Sequence, residues 1–372
     1  MTGPFARQLS SAGYVLDVRP EPGQQERPAG RGLARAEPVS CVLLLSRSCD
    51  AELDAVGRLL GRVGVTVARL NSDELASVDM IIDPGRRAIR LDGAWLAPTL
   101  TWNRHFSVQA IPGAGSPARD LFRRESWQAV ASQLAVLAEV SIGVRRAGLL
   151  EQQSLARRHR ITVPRTIVTT DPQRARELLG TRRVVIKAVD QHFVEASPGR
   201  LSGVFPVIAG HQESLSAPGA RDGPVIVQEY VEHDSELRVY YVDGEVLGFE
   251  VRKEAPADLW LAADRVEVRR VDVPGPVESA ASLLAADLEL CLGAFDFLLR
   301  DGIPVFLEVN PHGDWRWAEQ KSGTDLVTTA VARTLCRLHA SARARRPPAR
   351  GRRADYLDLI RFLSSGSRHP SP

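Results

Sequence analysis

An unbroken apolar run, VSCVLLLS from Val39 to Ser46, is the first strong pattern in the chain, and its lack of alternation predicts a strand buried on both faces. In DAELDAVGRLLGRVG, directly after it, Leu53, Val56, Leu59, Leu60 and Val63 recur at the three- and four-residue spacing of one helical face. VTVARLN then returns to a strand pattern. Strand, helix, strand opens a parallel α/β unit, whose crossover helix covers one face of the sheet. AIRLDGAWL alternates about Asp92-Gly93, a pair suited to a two-residue hairpin turn. TLTWNRHF reads as a further strand and ESWQAVASQLAVLAEV as a long helix starting at Ser126, so a first domain is expected over 39–140.

The second half changes character. A helix about LLEQQSLARRHR leads into the strand pattern ITVPRTIVTT, and DPQRARELLG has the Asp-Pro start and terminal glycine of a capped helix. RRVVIKAVD, PVIVQEYVE, ELRVYYVDGEVLGFEVRKE and GAFDFLLRDGIPVFLEVN are strand-rich, with hairpin turns expected at Asp243-Gly244 and Asp301-Gly302. A last helix is predicted from about Asp325 to Ala340. The chain is therefore of mixed α/β (α+β) class, with a second unit over 141–340.

Length and composition adjust this picture at its edges. At 372 residues the chain exceeds one ordinary core and suits two or three packed units. No apolar run approaches the roughly 18–20 residues of a membrane helix, and the N-terminus lacks an apolar core with a cleavage site. A cytoplasmic protein with no membrane partner is expected. Residues 1–38, rich in Gly, Pro, Arg, Gln and Glu without periodicity, predict a disordered arm. Cys41, Cys49, Cys291 and Cys336 form no CxxC pair and read as packed thiols. Net charge is +3, yet SARARRPPARGRR, Ser341 to Arg353, holds six arginines and no acid. That local basicity reads as a solvated linker within 341–372, ahead of the amphipathic DYLDLIRFL, rather than as a nucleic-acid surface.

Candidate chemistry concentrates in FLEVNPHGDWRW. Glu308 and Asn310 are two apart, so on a strand their side chains share a face. Asp296 lies twelve residues before Glu308, on the preceding strand of the Asp301-Gly302 hairpin, and pairing across that turn brings it beside them. Three hard oxygen donors suit magnesium, which takes one or two carboxylates together with substrate phosphates. Lys187, inside the apolar strand VVIKAV, wants an anion, and a phosphate or a structural carboxylate fits equally well. In VIVQEYVEHDSELRV an apolar strand ends at Gln228-Glu229-Tyr230-Val231 and is followed by acids through Glu236 and then Arg238, groups that suit an adenine edge and ribose hydroxyls.

Lysine strand, hinge strand, then Asp, Glu and Asn, in that order, resembles the ATP-grasp superfamily over roughly Leu150 to Ala340. Within it the chain most resembles the ATP-grasp peptide maturases of the graspetide, microviridin-like type. Their N-P-x-G-x-W-x-W motif is matched by Asn310, Pro311, Gly313, Trp315 and Trp317, and CVLLLSRSCDAELDAV to LNSDEL is similar to their pre-ATP-grasp domain. TWNRHF stands where they carry W-x-R-R. The resemblance implies a pre-ATP-grasp α/β domain followed by two subdomains, a lid of about 165–230 and a metal-binding part of about 231–340, that clamp ATP. It places Lys187 on phosphates, Gln228, Glu229, Tyr230 and Val231 at adenine, Glu236 at ribose, and Asp296, Glu308 and Asn310 on Mg2+. Arg238 and Arg252 would face phosphate or acyl phosphate. His312 stands as a general base or as a shaper of the loop, and Trp315 and Trp317 as one pocket wall and one core residue.

The chain departs from the family at Leu149, where a lysine is common, at His312 and Asp314, and in a lid with only Gly199 and Gly203. His192 and Glu195 in that lid read as hairpin packing and capping more than as substrate contacts. The function implied is ADP-forming ligation through an acyl phosphate, making ester or amide crosslinks in an acidic precursor peptide. Two other readings stay open: a ligase joining free amino acids or extending a peptide end, and a non-catalytic ATP-binding scaffold. A second copy of the chain is kept as a candidate partner.

Overall fold

The computed structural model describes residues 6–8, 14–16, 37–113, 115–143, 147–190, 193–210 and 223–346. Most of the expected N-terminal arm and nearly all of the basic tail lie outside these residues. Within the arm, β1 (Ala6–Gln8) and β2 (Tyr14–Leu16) pair antiparallel.

The N-terminal sheet is built as the apolar pattern requires. β3 (Val39–Ser46) is followed by α1 (Ala51–Arg62), whose N-cap Asp50 accepts from the Leu53 N–H, and then by β4 (Val67–Asn71). β5 (Met80–Asp83), β6 (Ala88–Leu91) and β7 (Ala94–Asn103) complete the order β4-β3-β7-β6-β5. β3 pairs in parallel with β4 and β7, while β6 and β7 form the hairpin turning at Asp92-Gly93. Leu53, Val56 and Leu60 are buried beneath α1, and Leu59 and Val63 pack at its margin. The next helix, α2 (Pro117–Gln133), starts nine residues before the expected Ser126. Ser116 is its N-cap and Pro117 sits at its first position, a start signal that outweighs the later periodicity. β8 (Val140–Ile142) pairs with β7.

After α3 (Leu149–Arg158), a four-stranded antiparallel sheet forms from β9 (Thr166–Thr169), β10 (Val184–Ala188), β13 (Val207–Ala209) and β14 (Val225–Glu229), and α4 (Pro172–Leu179) packs on it. β11 (Phe193–Ser197) and β12 (Arg200–Gly203) make a separate hairpin. The third sheet is antiparallel, in the order β17-β16-β15-β18-β19. It comprises β15 (Ser235–Val242), β16 (Glu245–Arg252), β17 (Glu267–Val271), β18 (Leu292–Arg300) and β19 (Ile303–Asn310). The short helix α5 (Asp258–Leu261) and α6 (Gly275–Asp287) lie between these strands in sequence. All three predicted Asp-Gly turns have left-handed backbone at each residue, the two-residue geometry whose twist matches antiparallel strands.

The third sheet buries Leu237, Val239, Phe295, Phe297 and Phe306 against α3 and α6. Its other face divides. One end packs Tyr240, Phe249 and Ala294 into a core shared with Val42, Leu44 and Trp102 of the first sheet, while the other end presents polar groups. That shared core is closed by α7 (Arg316–Ser322) and α8 (Leu326–Arg345), so the last helix returns to the N-terminal sheet. α8 runs five residues past the expected Ala340, with Arg343 and Arg345 in its last turn, where cations complement exposed carbonyls.

His339 of α8 ties these layers together. The Thr99 hydroxyl donates to the Cys41 carbonyl and accepts from His339 Nδ1 at 2.7 Å. Burial, and then Arg343, hold the imidazole below its ordinary 6.5. A depressed folded value means that the unfolded chain binds the proton more readily, so this contribution is present above pH 6.5 and lost as pH falls through the folded value. Unfolding midpoints measured between neutral and mildly acidic pH should fall in the wild type, and that slope should flatten in His339→Asn.

Candidate active site

Alternation alone does not build the site. A two-residue turn at Asp301-Gly302 pairs Arg300 with Ile303 and Phe297 with Phe306, and continued unchanged it would set Asp296 opposite Leu307. A β-bulge shifts the register there, so Asp296 instead pairs with Glu308 and Ala294 with Asn310. The extra residue turns Glu308 and Asn310 away from the face that holds Phe306. All three oxygen-bearing side chains then share the polar end of the sheet with Glu236 and Arg238, because Arg238 pairs with Asp296 across β15 and β18.

Each acid on this surface meets a cation. Lys187, on β10 of the lid sheet and 9% exposed, donates to Glu308 Oε2 at 2.5 Å, joining the two sheets. Arg238 Nη1 donates to both Asp296 oxygens at 2.9 and 2.8 Å, and its Nη2 to the Gly313 carbonyl at 2.9 Å. Burial disfavours the Arg238 charge, but Asp296 more than offsets it and raises the guanidinium further. Glu236 pairs with Lys253, and His233 Nε2 lies 3.3 Å from it. The strand period that brings Lys253 here puts Arg252 on the opposite face, 64% exposed beside Glu250. The expected phosphate-facing role of Arg252 is corrected accordingly.

The strand exit after β14 adjoins the same sheet. Val231 is buried with Leu298 and Val305, and Leu307 packs on them, an apolar floor suited to a flat ring. Arg183 stacks over Tyr230 at 3.8 Å, while the N–H groups of Glu229 and Tyr230 bond to the carbonyls of Arg165 and Arg183. The buried Gln228 amide donates to Thr166 Oγ1 at 2.9 Å, so its side chain braces β9 and β14. Leu149 is buried at the start of α3. Glu195 accepts from the Gly199 N–H at 2.9 Å, capping its hairpin, and pairs with Arg47 of the N-terminal domain. His192 lies outside the described residues.

Two supporting residues have no local signature. Gln152 of α3 donates to the Val309 carbonyl at 3.0 Å and accepts its N–H at 2.9 Å, bracketing the peptide between Glu308 and Asn310 as a neighbouring strand would. Arg104, fully buried, donates to Asp50 at 2.6 Å, to Asp314 at 3.0 Å, to Glu52, and through Nε to the His312 carbonyl at 2.8 Å. It also lies over the Trp315 ring at 4.7 Å. TWNRHF was a sequence feature, but Arg104 as the junction of loop and N-terminal domain was not legible in it.

The loop after β19 folds on itself. Asn310 Oδ1 accepts from the His312 N–H at 2.9 Å and its amide donates to Asp314 at 2.7 Å. Gly313 has left-handed backbone, and a Cβ there would press on the Trp315 ring, so the motif's glycine is required. Trp315 is core: it stacks on Trp102 with centroids 6.4 Å apart and donates to Thr328 Oγ1 at 2.8 Å. Trp317 packs half-buried against the same core. The His312 ring lies against His105 at 4.8 Å, and His105 Nε2 is 2.8 Å from Asp314. Among the described residues, Glu52, His105 and Asp314 are close enough to hold a metal, but Arg104 already bonds both acids. Asp296, Glu308 and Asn310 offer magnesium two adjacent carboxylates and an amide oxygen on one surface, with no soft donor among them, though Arg238, Lys187 and the His312 N–H hold these oxygens here.

A four-stranded sheet whose lysine meets Glu308 of a second antiparallel sheet is the arrangement of the ATP-grasp fold. Solved structures make the likeness particular. Macrocyclase MdnC from Microcystis aeruginosa MRC, bound with its precursor peptide MdnA, superposes with a TM-score of 0.67 at 19% identity, over 80% of this chain and 99% of that one. A RiPP-associated ATP-grasp ligase from Chryseobacterium gregarium, in complex with ADP and a leader and core peptide, gives 0.65 at 20% identity, over 80% and 97%. Macrocyclase MdnB from Microcystis aeruginosa MRC gives 0.61 at 23% identity, over 80% and 99%. The chain has the fold of these ligases. No family model and no curated protein sequence matches it. Among the described residues, no helix is long and apolar enough to cross a membrane.

Proposed function

We propose that the protein is an ATP- and magnesium-dependent carboxylate ligase that crosslinks an acidic precursor peptide. The observation that carries this reading is the meeting of Lys187 with Glu308 across the two sheets, beside Asp296, Arg238 and Asn310 on one surface. The likeness to peptide-bound macrocyclases supports the choice of a peptide substrate. A cytoplasmic setting belongs to the same reading.

A carboxylate is a poor acyl donor because oxide leaves badly. One of its oxygens attacks the γ-phosphorus of ATP, the bond from that phosphorus to the β–γ bridging oxygen breaks, and ADP leaves with the electron pair. An amine or hydroxyl then attacks the acyl phosphate, and phosphate departs as the amide or ester forms. Asp296, Glu308 and Asn310 would hold magnesium, which neutralises charge on the transferring oxygens. Lys187 positions phosphates, and Arg238, fixed by Asp296 and the Gly313 carbonyl, supplies a second positive charge. His312, its ring tilted against that of His105, would take the proton of the attacking group.

The test is ADP release with magnesium and an acidic peptide, a set of free amino acids, or no acceptor. Peptide-dependent release with a product one water lighter is expected, reduced on the order of a hundredfold or more in Lys187→Ala. Release with free amino acids alone would replace the peptide substrate. Nucleotide binding without release under any condition would leave a scaffold.

A further inference from the structure

Arginine supplies nearly all the positive charge of this chain. Of its 48 basic residues only three are lysines, Lys187, Lys253 and Lys321. Lys321 is exposed on α7, but the other two have side chains 9% and 8% exposed and pair with acids on one face of the third sheet. Where a sequence uses arginine almost everywhere, a buried lysine marks a place that a planar guanidinium with five donors does not suit.

Lys253 is 8% exposed and pairs with Glu236. Glu236 pairs with Val251 across β15 and β16, so the residue two beyond Val251 returns to the surface of Glu236, Arg238 and Asp296. Burial pushes the ammonium down to about 8, against an upward pull from Asp296 and Asp258 that places it within their field. It remains largely charged at neutral pH. A nucleotide with its ribose at Glu236 and its phosphates at Asp296 and Glu308 has to pass this ammonium.

We propose that Lys253 is a second phosphate-contacting cation of the cleft, acting with Lys187 on the phosphate chain of a nucleoside triphosphate. This rests on the ATP-ligase reading above. Three rotatable donors on a compact charge can be divided between Glu236 and a phosphate oxygen, as a rigid fork cannot. Lys253 thus becomes a candidate catalytic residue in place of Arg252.

The experiment compares the affinities of AMP, ADP and AMPPNP, each with magnesium, for the wild type, Lys253→Met and Lys253→Arg, by titration calorimetry. The wild type should prefer AMPPNP to AMP. Lys253→Met should lose about tenfold to a hundredfold in AMPPNP affinity while AMP binding stays within about twofold, the expected loss of a charged contact made to the β and γ phosphates that AMP lacks. Lys253→Arg keeps the Glu236 pair and so carries the test if the methionine variant does not fold. It should bind AMP normally with a reduced preference for AMPPNP. Equal weakening of all three nucleotides, or an unchanged preference in both variants, would overturn the assignment while leaving the ligase reading in place. Absence of any AMPPNP preference in the wild type would overturn both.

Discussion

Glu308→Gln is expected to lower peptide-dependent ADP release by on the order of a hundredfold or more at saturating magnesium, with the unfolding midpoint nearly unchanged. Glutamine keeps the shape of Glu308 and an oxygen for Lys187, which would otherwise be a buried ammonium without a partner. What it removes is charge. In the proposed reading Glu308 shares its negative charge between Lys187 and magnesium, while Asp296 does the same for Arg238. A neutral side chain at 308 should also raise the magnesium concentration needed for half-maximal rate. Turnover at the wild-type rate with unchanged magnesium dependence would remove Glu308 from the metal set. Asn310→Ala should lose activity as well, but it also frees the His312 N–H and Asp314, so Glu308→Gln is the cleaner comparison.

The face that holds these groups shows how far sequence reasoning reaches. The Asp-Gly turns, the capped helix at Pro172–Leu179 and the lysine strand were all legible because each has a local chemical signature. Asp296 beside Glu308 was legible as a spacing, yet that spacing works only through the bulge, which no residue in FLEVN announces. Without it, Glu308 would turn toward the helix-covered face of Phe306. Arg252 was named and Lys253 was not, because both are cations at one strand end and only register decides which of them turns inward. The tryptophans read as one pocket wall and one core residue because their flat faces suit either use; the return of α8 settles Trp315 as core. Gln152 and Arg104 act on residues far along the chain, so their partners exist only once the sheets have assembled.

Arg104→Met is expected to cost about 3–5 kcal/mol of folding stability, because it strands the buried Asp50 and the partly exposed Glu52 and Asp314 instead of deleting a whole ionic cluster. Asp50, Glu52 and Asp314 all bond this one guanidinium, and the His312 carbonyl takes its fourth donor contact. Arg104→Lys should recover little, since a single ammonium cannot span acceptors spread around a planar fork. The pH dependence separates this from simple loss of packing against Trp315. Burial works against the charge on Asp50, but Arg104, Ser46 and the Leu53 N–H hold its carboxyl below the usual range. Burial is likewise opposed at Asp314 by His105 and then Arg104. Folded values below the unfolded ones give stability that is present above the ordinary carboxylate range and lost as pH falls through the folded values. Without Arg104 the burial effect dominates at Asp50, its folded value rises, and acid then relieves the variant while it weakens the wild type. Urea unfolding from neutral pH down to about 4 should therefore show the deficit shrinking as pH falls. A deficit constant across that range would assign the cost to lost contact with Trp315, and no deficit at all would show that the N-terminal domain holds the loop by other means.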